Sequence, residues 1–294
     1  MSQTPLGQTD DYLKPAATPW WQSLRFRWLL IAPIVAAVGV YAMREPLDGL
    51  SSRIHATWQL DQALRAQSAD DPATALEKLD QAIQAWPMSE QLYMLRAQMR
   101  RRAGDLRGSM EDYDIAIQLA PKFAEAYMQR AVVRRMLGYT TDALEDVNTA
   151  IVLRPRGEAE PLNLRAYLRA LSGVELQEAL VDIDKALSTV DSAPAAWLDT
   201  RACVLLGLGE LDRALEDIDT ALRLMETDRD ELMNSERYRE LTSESQQAWQ
   251  EQYTESLSVM YHHRAQIYKA QGEADLADAD ARHAEQLGFR PEIE

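Results

Sequence analysis

The chain has 294 residues, 46% of them hydrophobic and 27% charged, enough apolar surface to bury a large core and too much to stay disordered. A formal net charge of -16 at pH 7 repels phosphate backbones and speaks against binding to nucleic acid. Its single cysteine, Cys203, excludes an intramolecular disulfide and a cysteine-only metal cluster.

In chain order, residues 1–27 read as an N-terminal tail and 28–43, "WLLIAPIVAAVGVYAM", as an uncharged apolar run. Residues 28–43 as a helix span about 24 Å, short of the about 30 Å hydrocarbon core, so a spanning helix needs snorkelling from Arg25, Arg27 and Arg44. Trp20, Trp21, Trp28 and Tyr41 fit an interfacial aromatic belt. An uncleaved single-pass anchor is favoured over a cleaved signal peptide or a buried core helix. Lys14, Arg25 and Arg27 before the span outnumber Arg44 and Arg53 after it, which places the remainder of the chain on the non-cytoplasmic side. Residues 44–55 read as a linker.

From residue 56 the composition turns to helix formers, and an all-α architecture follows. A pattern then recurs: Arg-Ala, six residues, Gly, four residues, Ala or Ser, beginning at Arg96, Arg130, Arg201 and Arg264, with one extra residue in the copy at Arg165. Between the second and third units the landmarks stand 34 residues apart, as in Tyr93 and Tyr127, Gly104 and Gly138, or Pro121 and Pro155. Apolar residues at helical spacing on both sides of each glycine predict two short helices per unit. Gly104, Gly138, Gly173, Gly209 and Gly272 stand where the first helix must end in a left-handed residue. Ala131, Ala143 and Ala150 are small where helices must approach closely, and the prolines separate units. The arginines travel with Asp112, Asp146, Asp182, Asp217 and Asp280, while the first unit has Gln62 and Lys78 instead. This co-occurrence predicts ion pairs across each helical hairpin, with a structural role rather than recruitment of an anion.

With these landmarks the chain resembles the tetratricopeptide repeat (TPR) family over about residues 56–291. The first repeat departs from the pattern at Gln59 and Asp70, the fourth carries its extra residue, and the sixth lacks the closing proline. The resemblance implies a right-handed superhelix of about six repeats whose first helices line a concave, partner-binding groove. Carried over residue by residue, the groove comprises Met94, Gln98, Arg101 and Arg102, then Met128, Val132, Arg135 and Met136, then Asn163, Tyr167 and Leu171. Asp199, Cys203 and Leu206 continue it, followed by His262, Gln266 and Lys269, while for Val132, Leu171 and Leu206 packing against neighbouring repeats accounts for the residues equally well. Such a groove is basic at one end and apolar in the middle, and suits a protein or peptide with apolar anchors and an acidic flank. Leu95, Gln98, Gln129 and Val132 stand where the family's carboxylate clamp needs asparagine and lysine, so that mode is not expected.

About 29 extra residues separate the fifth and sixth repeats, near 226–257. Ser243 with Gln246 resembles a capping box, and Trp249, Tyr253, Leu257 and Met260 then share one helical face. The first helix of repeat six is expected to extend backwards by several turns, either as a stabilising antiparallel helical arm or, through Trp249 and Tyr253, as a surface that docks a partner or a second copy. Catalytic signals are poor: His262 and His263 point about 100° apart on a helix, and no metalloprotease, phosphate-loop or nucleophile-elbow motif occurs. The leading expectation is a membrane-anchored scaffold for protein–protein interactions, with no catalysis and no cofactor. Self-assembly through the arm is the second reading and a hydrolase or metalloenzyme using His262 or His263 a remote third.

Overall fold

The computed structural model describes residues 49–69, 71–154 and 159–289. The apolar run 28–43, the tail before it, Pro155 and residues 290–291 lie outside them. Among the described residues all regular structure is helical, and no helix is long and apolar enough to cross a membrane.

Helix α1 covers residues 49–68, so the helix includes residues 49–55, which the sequence reading had assigned to a linker. It is followed by α2 (Pro72–Ala85), α3 (Glu90–Arg102), α4 (Leu106–Leu119), α5 (Ala124–Met136), α6 (Thr140–Leu153), α7 (Ala159–Ser172), α8 (Leu176–Leu187), α9 (Ala195–Leu208) and α10 (Leu211–Asn234). The short α11 (Glu236–Arg239) leads into α12 (Ser243–Gln271) and α13 (Ala274–Gln286). Six antiparallel hairpins result, α1/α2 through α9/α10 and then α12/α13, each packed on the next.

The turn chemistry is local. Gly138 has φ +79° with open space around a hypothetical Cβ, so glycine is there for its backbone and not for room. Its equivalents Gly104, Gly173, Gly209 and Gly272 are left-handed too, as expected. In the fourth hairpin the extra residue is absorbed by Glu175, a non-glycine held at φ 50° as N-cap of α8. Asp71 and Asp105 cap α2 and α4 by accepting from the N–H groups of Thr74 and Gly108.

The alanines form the seam. Ala97, Ala131, Ala166 and Ala202 of the first helices and Ala116, Ala143, Ala179 and Ala214 of the second are fully buried. Ser109, which replaces alanine in α4, donates to the Ala97 carbonyl at 2.8 Å, so its hydroxyl costs little to bury.

The expected ion pairs are present and are bidentate: Arg96 with Asp112, Arg130 with Asp146, Arg165 with Asp182, Arg201 with Asp217 and Arg264 with Asp280, at 2.6 to 3.0 Å. Each guanidinium also reaches back to the preceding repeat. Arg96 donates to Asp80, Arg130 to Asp114, Arg165 to Asn148, Arg201 to Asp184 and Arg264 to Asp219. A second arginine one turn on joins the pair in three repeats: Arg100 at Asp112, Arg134 at Asp146 and Arg169 at Asp182. The landmark tyrosines complete the motif, with Arg96 over Tyr93, Arg130 over Tyr127 and Arg264 over Tyr261 at 5.2 to 5.6 Å.

The insertion is shared by two helices. α10 runs 24 residues against 14 for α4 and α6, and α12 runs 29. The backward extension of α12 was expected; the forward extension of α10 was not, although no glycine or proline interrupts that stretch. The N-cap of α12 is Thr242, whose hydroxyl accepts from the Ser245 N–H, and not Ser243. Gln246 instead donates to the carbonyls of Tyr238 and Leu241, tying the start of α12 to α11.

Candidate functional site

The first helices turn one face toward a common hollow. Between α5, α7, α9 and α12 lies a cleft of about 610 Å³, a size typical of ligand sites. α5 contributes Arg135 and Met136; α7 contributes Asn163, Leu164 and Tyr167; α9 contributes Ala196, Asp199 and Thr200. α12 closes the far wall with Glu255, Ser256, Ser258, Val259 and Met260, and Gly288 and Phe289 form a rim after α13. A shallower hollow of about 310 Å³ adjoins it along α12, lined by Gln247, Gln250, Glu251 and Thr254.

The floor is built around Tyr167. The Arg135 guanidinium lies over its ring at 5.5 Å and makes no ion pair among the described residues. Beside them the Asn163 side-chain carbonyl is buried and accepts no hydrogen bond from the described residues. A buried acceptor without a donor is costly, roughly 1–3 kcal/mol. The Phe289 ring stacks on His262 with centroids 4.1 Å apart, fixing the rim.

Of the residues expected in the groove, Arg135, Met136, Asn163, Tyr167 and Asp199 line this cleft. Gln98, Arg101 and Arg102 sit on α3, outside it, and Val132 is half-buried on α5. Leu171 is exposed beyond the cleft near the end of α7. Gln266 and Lys269 are exposed on α12. Three expectations need correction. Met94 is only 6% exposed and belongs to the core shared by the first three repeats, in one cluster with Leu79, Tyr113 and Val133. Met128 packs against the α5–α7 core and Leu206 against the α9–α10 core.

The arm is corrected in the same way. Leu257 is 7% exposed and part of the core with Leu222 and Ile267. Trp249 and Tyr253 stack on each other at 5.4 Å, Tyr238 meets Trp249 edge-on, and Arg229 of α10 lies over Tyr253 at 5.8 Å. The aromatic face therefore holds the two helical extensions together, in keeping with the expected stabilising arm and not with the docking alternative. What the arm offers instead is Glu255 and Ser256, which precede the point where the other first helices begin and wall the cleft.

Sequence reasoning missed one cluster. The His263 Nδ1 stands 2.7 Å from an Asp199 carboxylate oxygen, and ligand atoms of Asp199, Cys203 and His263 all lie within 4.8 Å of one another. Asp199 is 7% and His263 3% exposed. Burial opposes the imidazolium most strongly, yet the charges and hydrogen bonds of Cys203 and Asp199 prevail and raise the His263 pKa well above the ordinary histidine value. Alignment on the repeat arginines carried the signal: Asp199 and Cys203 flank Arg201 symmetrically on one face of α9, and His263 directly precedes Arg264 on the next first helix.

Residues 60–122 match the profile of the family described as Tetratricopeptide repeat. Among curated proteins none matches the chain. A tetratricopeptide repeat protein from Parabacteroides merdae ATCC 43184 is similar in structure, with a TM-score of 0.57 at 22% identity over 82% of this chain and 96% of that one. The fold is a tetratricopeptide-repeat solenoid. The MamA protein of Desulfovibrio magneticus RS-1 (TM-score 0.52, 15% identity, 59% of this chain and 96% of that one) and a further MamA crystal structure (0.51, 18%, 60% and 94%) share it. At these identities the likeness concerns the fold.

Proposed function

We propose that this protein is a membrane-anchored scaffold that holds an extended segment of a protein partner in the cleft between α5, α7, α9 and α12, without chemistry of its own. The observation that carries the reading is the buried Asn163 carbonyl with no donor among the described residues, lining the same cleft as an Arg135 guanidinium with no acid among them. An extended peptide supplies both: a backbone N–H for Asn163 and a carboxylate for Arg135. Met136, Leu164, Tyr167 and Val259 offer apolar walls for its anchors. Glu255 opposite Arg135 makes the cleft bipolar, so the preferred segment carries its acid at the α5 end. Residues 28–43 provide the anchor in this reading, with the repeats on the non-cytoplasmic side, and tethering raises the effective concentration of partners at the membrane.

The test is a cross-linked pull-down of the full-length protein from detergent-solubilised membranes beside an Arg135→Glu, Tyr167→Glu variant shown by circular dichroism to be folded. Loss of a defined protein from the variant is the expected result; an unchanged set of bound proteins would sink the cleft assignment. Alkaline extraction of membranes carrying the full chain, compared with a chain lacking 28–43, tests the anchor separately.

A further inference from the structure

We propose that Asp199, Cys203 and His263 form a binding site for a single divalent transition-metal ion of the zinc and cobalt class, clasping repeat five to repeat six beside the cleft.

The donor set carries the inference. One thiol, one imidazole and one carboxylate make a mixed sulfur, nitrogen and oxygen site, which suits a borderline ion and not magnesium or calcium. Their positions follow from the fold. Asp199 and Cys203 are one helical turn apart on α9 and so share a face. His263 arrives from α12, a helix 60 residues further along, brought alongside by the stacking of first helices. Nothing in the repeat pattern requires this combination, since the corresponding positions around Arg130 are Met128, Val132 and Gln129.

The dimensions permit it. A tetrahedral ion with sulfur at about 2.3 Å and nitrogen or oxygen at about 2.0–2.1 Å needs donor atoms about 3.3–3.6 Å apart. The imidazole and carboxylate, now at 2.7 Å, must part by a little over half an ångström, and no donor pair starts more than 4.8 Å apart. Side-chain rotation covers shifts of that size without moving a helix. Asp199 also lines the cleft, so the fourth position of a tetrahedral ion is open to water or to a donor from a bound partner. Metal binding needs all three donors deprotonated and replaces the Asp199–His263 contact by metal bonds.

The chain has only one cysteine, which makes the test specific. Untagged full-length protein in detergent, freed of metal by chelation, is titrated with cobalt(II) chloride alone. A sulfur-to-cobalt charge-transfer band saturating at one cobalt per chain is expected, because any such band must arise from Cys203. Cys203→Ser should abolish it, and His263→Gln should weaken cobalt binding by about 100-fold or more. Should His263→Gln fail to fold, Asp199→Asn serves in its place, with an expected loss of about tenfold. A folded wild-type protein that shows no charge-transfer band in excess cobalt overturns the proposal. So does a band that survives unchanged in folded His263→Gln or Asp199→Asn protein, which would mean a lone thiol taking up metal.

Discussion

Replacing Arg201 with methionine should cost more than the same change at Arg130, although the two arginines occupy equivalent places. Arg130 donates twice to Asp146, and Asp146 also receives Arg134 at 2.8 Å, so the buried carboxylate keeps one cation after the change. Arg201 donates twice to Asp217, but Leu205 stands where Arg134 would be, and Asp217 has no second cation among the described residues. A buried carboxylate stripped of its partner costs about 3–5 kcal/mol. Asp217 is 8% exposed and Arg201 reaches solvent at its edge, so the lower end, about 3 kcal/mol, applies to Arg201→Met. Arg130→Met loses charged hydrogen bonds while Asp146 stays paired, about 2 kcal/mol. Adding Asp217→Leu to Arg201→Met removes the orphan charge and should recover all but about 1 kcal/mol. Because stacked repeats open unit by unit, native-state hydrogen exchange on the amides of α5–α6 and α9–α10 is the suitable assay. A larger loss at Arg130, or a double variant no more stable than Arg201→Met, would refute the reasoning.

Glu175→Gly relieves the one left-handed non-glycine among the described residues, and thermal unfolding should show a gain of about 0.5–1 kcal/mol; the Glu175 carboxylate it removes is at the surface, and Arg169 keeps its pair with Asp182. Thr242→Ala removes the cap of α12 and should cost about 1 kcal/mol, seen as faster exchange in its first turn. Asn163→Leu fills the place of the donorless carbonyl with apolar volume, so stability should hold or rise slightly while peptide binding, followed by fluorescence polarisation, falls at least tenfold.

The fold was legible because its determinants are local and repeat. Gly138 and its equivalents fix the turns, the alanines fix the crossings, and the matched appearance of arginine and aspartate fixed their pairing within each hairpin. The inter-repeat partners Asp80, Asp114, Asp184 and Asp219 were overlooked, although each stands two residues after the aspartate position of its own repeat. The site was less legible. Met94 and Leu257 look alike to a helical-face argument whether that face meets solvent or a neighbouring repeat, and only packing decides. The Asp199–Cys203–His263 cluster escaped a motif search because its members are joined by solenoid stacking and not by spacing.

The ends of the array show what the acidic residues are for. The first repeat has Lys78 where the others pair their own arginine, yet it keeps Asp80, which serves Arg96 of the next repeat. The last repeat is the mirror case: Asp280 pairs with its own Arg264, while Arg282 stands where a forward-facing acid would be, and no seventh hairpin follows within the described residues to need one. A forward-facing acid thus serves four of the five arginines, and Asn148 takes its place for Arg165. The contacts chain nearest neighbours from Asp80 to Asp280 on the side of the helices away from the cleft-lining positions. Even the long insertion preserves the link, since Arg264 reaches Asp219 across 45 residues at 2.8 Å. The insertion therefore leaves the stacking of repeats five and six intact. It adds a wall to the cleft without spreading the repeats that form its floor.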